Sequence, residues 1–201
     1  MLLHHVIIKR KSIVAKVADL FASPLHIEEM LFDVNSIREE CYQRQNNNPG
    51  RELSNMGGYQ SGDYFLPDLF FNDLFLRIEE AGNAFADLIG IRPVKMDNFW
   101  ININRKGHYN QKHDHPNCQL SGAYYVKVPP NSGLIKFIHP CDRFITRDWN
   151  VKEFTPYNSE VWGFEPKEND LYIFPSWLEH SVTPSSSDED RISISFNLMS
   201  K

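Results

Sequence analysis

The sequence predicts an α+β fold, with helices in the first half and a sandwich or jelly roll of short strands in the second. Three observations carry this. Apolar residues recur at helical spacing in two stretches before residue 90. After Pro93 the pattern becomes a series of short β-type runs, and Gly, Pro, Asn and Ser clusters separate those runs. With 201 residues, 41% of them hydrophobic and 13% aromatic, the chain can bury a sizeable core without disulfide staples. A single domain over 1–201 is expected, with extended segments and helices in 1–92 and the strand core in 93–201.

Each element follows in order. Residues 1–26 read as extended, since HHVIIK and SIVAKVADLF are rich in β-branched residues and Pro24 closes the stretch. From Ile27 to Arg44 the apolar spacing through Met30, Leu31, Val34, Ile37 and Cys41 is helical. QNNNPGRELSNMGGYQSGDYF has no period and is long for a bare connection, so it is expected to cover something. Phe70, Leu74, Ile78, Ala81 and Phe85 mark a second helix over 69–88, with Gly90 suited to its end. NFWININR, QLSGAYYVKVP, GLIKFIHP, DLYIFPS and DRISISFNLM are then the strands. No internal repeat interrupts the series.

Charge and cysteine content narrow the function. A net charge of −5 with no basic stripe argues against nonspecific nucleic-acid binding. Cys41, Cys118 and Cys141 form no CxxC pair, which fits a reducing compartment. The start MLLHHVIIKRKS is unlike a secretory signal, and no apolar run is long enough to span a membrane. A cytoplasmic location is the expectation.

Three of the eight histidines form a set. His113 and His115 stand two apart, so on an extended segment their rings share a face while Asp114 points away. His180 follows FPSWLE, a strand ending in a Pro-Ser turn, and a sandwich can bring it alongside. Three nitrogens on one face of an ion leave positions open for oxygen chemistry, as non-haem iron requires. His4, His5, His26 and His139 have no companion at ligand spacing. Downstream, DRISISFN places Arg191, Ser193 and Ser195 on one face and Ile192, Ile194 and Phe196 on the other. An inward arginine needs an anion, and its planar fork suits a carboxylate. A dicarboxylate that chelates the metal at one end and meets Arg191 at the other would satisfy both.

The pattern HxH…His…RxS resembles the 2-oxoglutarate- and Fe(II)-dependent oxygenases, whose usual signature is HxD/E…H with a later Arg-x-Ser. LFASPL, SNMGGYQS, NFWININRKGHYNQKHDHP, SGAYYVKVP, FPSWLEHSV and RISISFN are similar to a group of bacterial and phage members, in an arrangement resembling the prolyl-4-hydroxylase-like branch. The likeness spans about residues 17–199 and implies a double-stranded β-helix, a cupin-like jelly roll, with supporting N-terminal helices. It implies that His113, His115 and His180 hold Fe(II). Arg191, assisted by Ser193 and Tyr125, would take the distal carboxylate of 2-oxoglutarate. Dioxygen and an unidentified small-molecule or peptide substrate complete the partners, and hydroxylation with release of succinate and carbon dioxide is the implied reaction.

The departure is His115 where the superfamily carries Asp or Glu. A three-histidine site leaves iron formally +2 instead of +1 before co-substrate, which favours a dianion and weakens retention of the ion. Asp114 could serve only through a bulge. Two other readings stay open: a three-histidine cupin-like metalloenzyme without 2-oxoglutarate, and a non-catalytic jelly-roll binding module. Among neighbouring residues, Asn102 and Asn104 alternate with Ile101 and Ile103 and are candidates to face the interior and bind the co-substrate. Phe174 and Trp177 are expected in the core. Tyr59 or Gln60 is a candidate substrate contact, and Arg143 and Arg147 are candidates to meet an acidic one.

Overall fold

The computed structural model describes residues 18–141 and 149–200. The extended segments predicted before residue 18, with His4 and His5, and the arginines 143 and 147 lie outside the described residues. Two antiparallel sheets face one another. The larger holds seven strands: β1 (His26–Glu29), β10 (Asp170–Pro175), β7 (Leu120–Lys127), β12 (Arg191–Ser200), β5 (Val94–Asn104) and β3 (Tyr59–Gln60) in that order, with β4 (Tyr64–Phe65) also on β5. The smaller runs β2 (Asn55–Met56), β6 (Tyr109–His113), β11 (His180–Val182), β8 (Ile135–Ile138) and β9 (Val161–Phe164).

Strand alternation divides the large sheet into two chemistries. On one face Phe99, Ile101, Ile103, Tyr124, Leu171, Ile192, Ile194 and Phe196 are buried in the main core. The helices α1 (Val34–Asn47) and α2 (Asn72–Ile89) cover that face through Ile37, Cys41, Leu74, Phe75, Ile78 and Phe85. On the opposite face Ala123, Tyr125, Tyr172 and Phe174 meet Ile135 and Phe137 of the small sheet in a second, smaller core. The polar remainder of that inner face borders a cavity.

Helix α2 falls close to its predicted span. Gly90 closes it in the left-handed region at φ 75°, where the absent Cβ removes the steric cost, and its N–H donates to the Asp87 carbonyl. Helix α1 corrects the reading of 27–44 as continuous helix. His26–Glu29 instead pairs with β10 as an edge strand, and Leu31 is exposed. Asn169 holds the intervening backbone, its Oδ1 accepting from the Phe32 N–H while its own carbonyl accepts from Met30. Asp33 then caps the helix by accepting from the Asn35 N–H, so the helix begins only there. Trp177 is a second correction: it sits half exposed in the turn before β11, whereas Phe174 is buried. The loop 45–65 carries the short strands β2, β3 and β4, and β9 is an edge strand whose polar-flanked VWGF gave no clear alternation. Among the described residues no helix is long and apolar enough to cross a membrane.

Phe99 anchors helix to sheet, its ring lying 4.4 Å from Phe75, 5.7 Å from Phe71 and 5.2 Å from Tyr64 between centroids. Phe99→Ala is therefore expected to lower the unfolding free energy by about 3–5 kcal/mol. Chemical denaturation checks this, and a loss below about 1 kcal/mol would show that the packing contributes little.

Candidate metal centre and its cavity

His113 ends β6 and His180 begins β11, and the two are directly opposite in the antiparallel register. His115 lies just past β6, where its N–H donates to the Ser176 carbonyl and turns it back towards β11. One nitrogen from each ring lies within 4.8 Å of the others. His115 Nε2 and His180 Nε2 are 3.2 Å apart. That is close to the roughly 3 Å expected for two nitrogens at right angles on an ion with bonds of about 2.1 Å. Asp114 is exposed and falls outside the group, so the structure brings together the three histidines and not the carboxylate alternative.

The tautomers suit a cation. His180 Nδ1–H donates to the Leu178 carbonyl at 2.9 Å and His113 Nδ1–H to the Gln111 carbonyl at 2.7 Å. Each bond leaves Nε2 as the ring's open lone pair. Burial, assisted by the neighbouring rings, pushes His115 down to about 4 and His180 down to about 3. Burial lowers His113 as well. Neutral imidazoles at neutral pH are what a metal needs. Trp100 stacks on His115 at 5.5 Å, and Phe174 and Phe137 flank His180.

These rings border a cavity of about 370 Å³ between the sheets. Arg191, Ser193, Ser195 and Asn197 line it from β12, as the alternation predicted for the first three. Arg191 is only 2% exposed. Its Nη1 donates to the Ser132 carbonyl at 2.8 Å, while its Nε has no partner among the described residues. Burial lowers the guanidinium, and the nearby Tyr125 phenol opposes this. Tyr125 is buried on the cavity wall beside it. A buried cation with an unpaired donor is costly unless an anion meets it, so this end of the cavity fits a carboxylate.

Asn102 also lines the cavity, its Nδ2 donating to Ser195 Oγ at 3.0 Å. Asn104 does not: it is buried off the cavity wall, where a Cβ added to Gly58 would clash with its Oδ1. The covering loop packs directly over it. Of the two loop candidates, Gln60 lines the cavity, whereas Tyr59 packs against the main core. Sequence reasoning passed over Trp100, Asn98 and Asn197, although the alternation that selected Asn102 and Ser195 reaches all three. Arg51, Ser54 and Asp63 carried no periodic signal.

A metal-binding cavity with a buried anion-seeking arginine defines a class, and the comparisons agree with it. Residues 98–197, which include every residue assigned to metal and co-substrate, match the family described as "Putative 2OG-Fe(II) oxygenase". The chain belongs to the 2-oxoglutarate- and Fe(II)-dependent oxygenase superfamily, a class of dioxygenases. Among solved structures it is similar to a prolyl-4-hydroxylase from Pseudomonas putida, at 12% identity and TM-score 0.63, covering 89% of this chain and 94% of that one. The carbocyclase SnoK of nogalamycin biosynthesis matches at 15% identity and TM-score 0.65, covering 89% and 80%. HygX from Streptomyces hygroscopicus, solved with nickel, 2-oxoglutarate and hygromycin B, matches at 11% identity and TM-score 0.57, covering 89% and 84%. These similarities are similarities of fold. No curated protein sequence matches significantly.

The histidine environment predicts acid lability of the metal-free protein. The folded rings bind protons less readily than in the unfolded chain, where the value is 6.5. Stability is therefore full above about pH 6.5 and falls as pH drops towards 4 and then 3. The slope reaches about 1.4 kcal/mol per pH unit for each ring. Denaturation midpoints across this range check it, and His180→Leu should flatten the fall. A pH-independent midpoint in the native chain would contradict it.

Proposed function

We propose that this chain hydroxylates a substrate at the expense of 2-oxoglutarate, releasing succinate and carbon dioxide, within a double-stranded β-helix domain. The observation that carries the reading is one cavity holding three converging neutral imidazoles and a buried arginine with an unpaired Nε. His113, His115 and His180 would hold Fe(II), and Arg191 would receive the distal carboxylate of 2-oxoglutarate. Ser193 and Tyr125 lie on the same wall and offer hydroxyls to that carboxylate. Bound Fe(II) and 2-oxoglutarate supply dioxygen activation and oxidative decarboxylation.

The protein's own residues orient and shield. The Leu178 and Gln111 carbonyls keep His180 and His113 in the tautomers that present Nε2. Phe174, Phe137 and Trp100 pack against the rings and limit water around them. Among the described residues no carboxylate joins the donor set, so a dianionic co-substrate would neutralise the ion, and Arg191 adds a second attraction for it.

Fe(II)-dependent succinate formation from 2-oxoglutarate tests the reaction, and it is expected even without substrate. Arg191→Ala should weaken 2-oxoglutarate binding about a hundredfold while changing Mn(II) affinity little. His180→Ala should abolish turnover. No succinate from the iron-loaded native chain would favour a three-histidine enzyme that binds its substrate directly. Equal loss of 2-oxoglutarate and metal in Arg191→Ala would contradict the role given to the guanidinium.

A further inference from the structure

The loop between α1 and α2 crosses from one sheet to the other. Its strand β2 pairs with β6 in the small sheet and its strand β3 with β5 in the large one, so Gly57 and Gly58 bridge the gap. Asn55, buried at the start of β2, ties the crossing together. Its Nδ2 donates to the Arg51 and Gly58 carbonyls, and its Oδ1 accepts from the Leu53 N–H. Ser54 is held inside this turn and lines the cavity.

Two contacts aim Ser54 at the histidines. The Gln111 N–H donates to the Ser54 carbonyl at 2.8 Å, while the Gln111 carbonyl accepts from His113 Nδ1–H at 2.7 Å, so one residue mounts both. Asn110 Nδ2 donates to Ser54 Oγ at 3.3 Å. Asn110 and His113 stand three apart, an odd spacing, yet both line the cavity. The reason is a bulge: His180 opposes His113 and Val182 opposes Asn110, two steps on β11 against three on β6. Bulges re-aim side chains beside a site in this way.

Ser54 Oγ lies 3.5 Å from His113 Nε2. With Nδ1–H committed to Gln111, Nε2 is an acceptor and the hydroxyl is the donor. The contact is long for an O–H···N bond, so it occupies that lone pair only loosely. Two donor atoms that share an ion with bonds of about 2.1 Å are separated by about 3 Å at right angles and about 4.2 Å in line. The Ser54–His113 spacing falls in that interval, as does the 3.2 Å between His115 and His180.

We infer that Ser54 is a fourth ligand of the metal centre, a neutral hydroxyl oxygen delivered by the crossing loop. The inference rests on the three histidines holding a divalent ion, and not on the identity of the co-substrate. With the His113 lone pair given to the ion, the hydroxyl turns its own lone pair inward while Asn110 bonds the other. The hydroxyl adds an oxygen to an all-nitrogen donor set without adding charge, so the attraction for a dianion is kept.

Mn(II) titrations of the full chain, followed by calorimetry and by water-proton relaxation, test this. Relaxation counts the waters exchanging on the ion, which a merely structural serine would not alter. In the native chain six-coordinate Mn(II) should keep about two such waters, where three histidines alone would leave about three. Ser54→Ala should admit the further water and weaken Mn(II) binding about fivefold. Ser54→Asp puts a charged oxygen at the same point and should tighten Mn(II) at least about tenfold. Thermal melts of the metal-free chains show which variants fold, and the native count decides without them. A native count of three waters, an unchanged count in folded Ser54→Ala, or no tightening in folded Ser54→Asp would overturn the assignment. His180→Ala separates the two readings. A native chain that fails to bind Mn(II), or binds it equally well without His180, would remove the three-histidine centre and Ser54 with it. Binding that depends on His180 but leaves three waters would remove Ser54 alone.

Discussion

The alternation of β12 is the constraint on which the rest depends. Ile192, Ile194, Phe196 and Leu198 are fully buried against the helices, and this fixes which way every intervening residue points. A slip of one residue would send Arg191 into the helix-covered core and isoleucines into the cavity. The apolar face thus determines the position of the functional face. The neighbouring β5 and β7 obey the same rule, with Tyr124 in the main core and Tyr125 on the cavity wall.

The metal centre is built from the facing sheet. Three rings converge there, and His113 and His180 each donate Nδ1–H to a carbonyl and so keep Nε2 free for a cation. Arg191 presents the matching problem at one end of the same cavity: a buried guanidinium with an unfilled donor position. An ion and a dicarboxylate resolve both at once, because each neutralises what the other leaves uncompensated. The two features together argue for a joint site more strongly than either alone.

Much of this was legible in the sequence because strands encode their faces. HDH, AYYV and RISIS are short segments in which period two decides orientation, and their positions follow from it. Two kinds of error came from competing forces. Residues 27–33 have helical spacing, but the free edge of β10 and the Asn169 side chain hold them extended. Asn104 obeys the alternation yet is sealed off by the loop at Gly58, a tertiary contact that no local pattern announces. For the same reason Arg51, Ser54 and Asp63 carried no signal, since an aperiodic loop folded over a cavity leaves no repeat to read. The expectation that this loop covers something was sound: it gives Arg51, Leu53, Ser54, Gln60 and Asp63 to the cavity wall.

A crystal structure of the chain with Mn(II) and N-oxalylglycine tests the joint site directly. One ion should be bound by Nε2 of His113, His115 and His180, with the far carboxylate of the analogue in contact with Arg191. An ion held elsewhere, or an analogue whose far carboxylate turns away from Arg191, would contradict it.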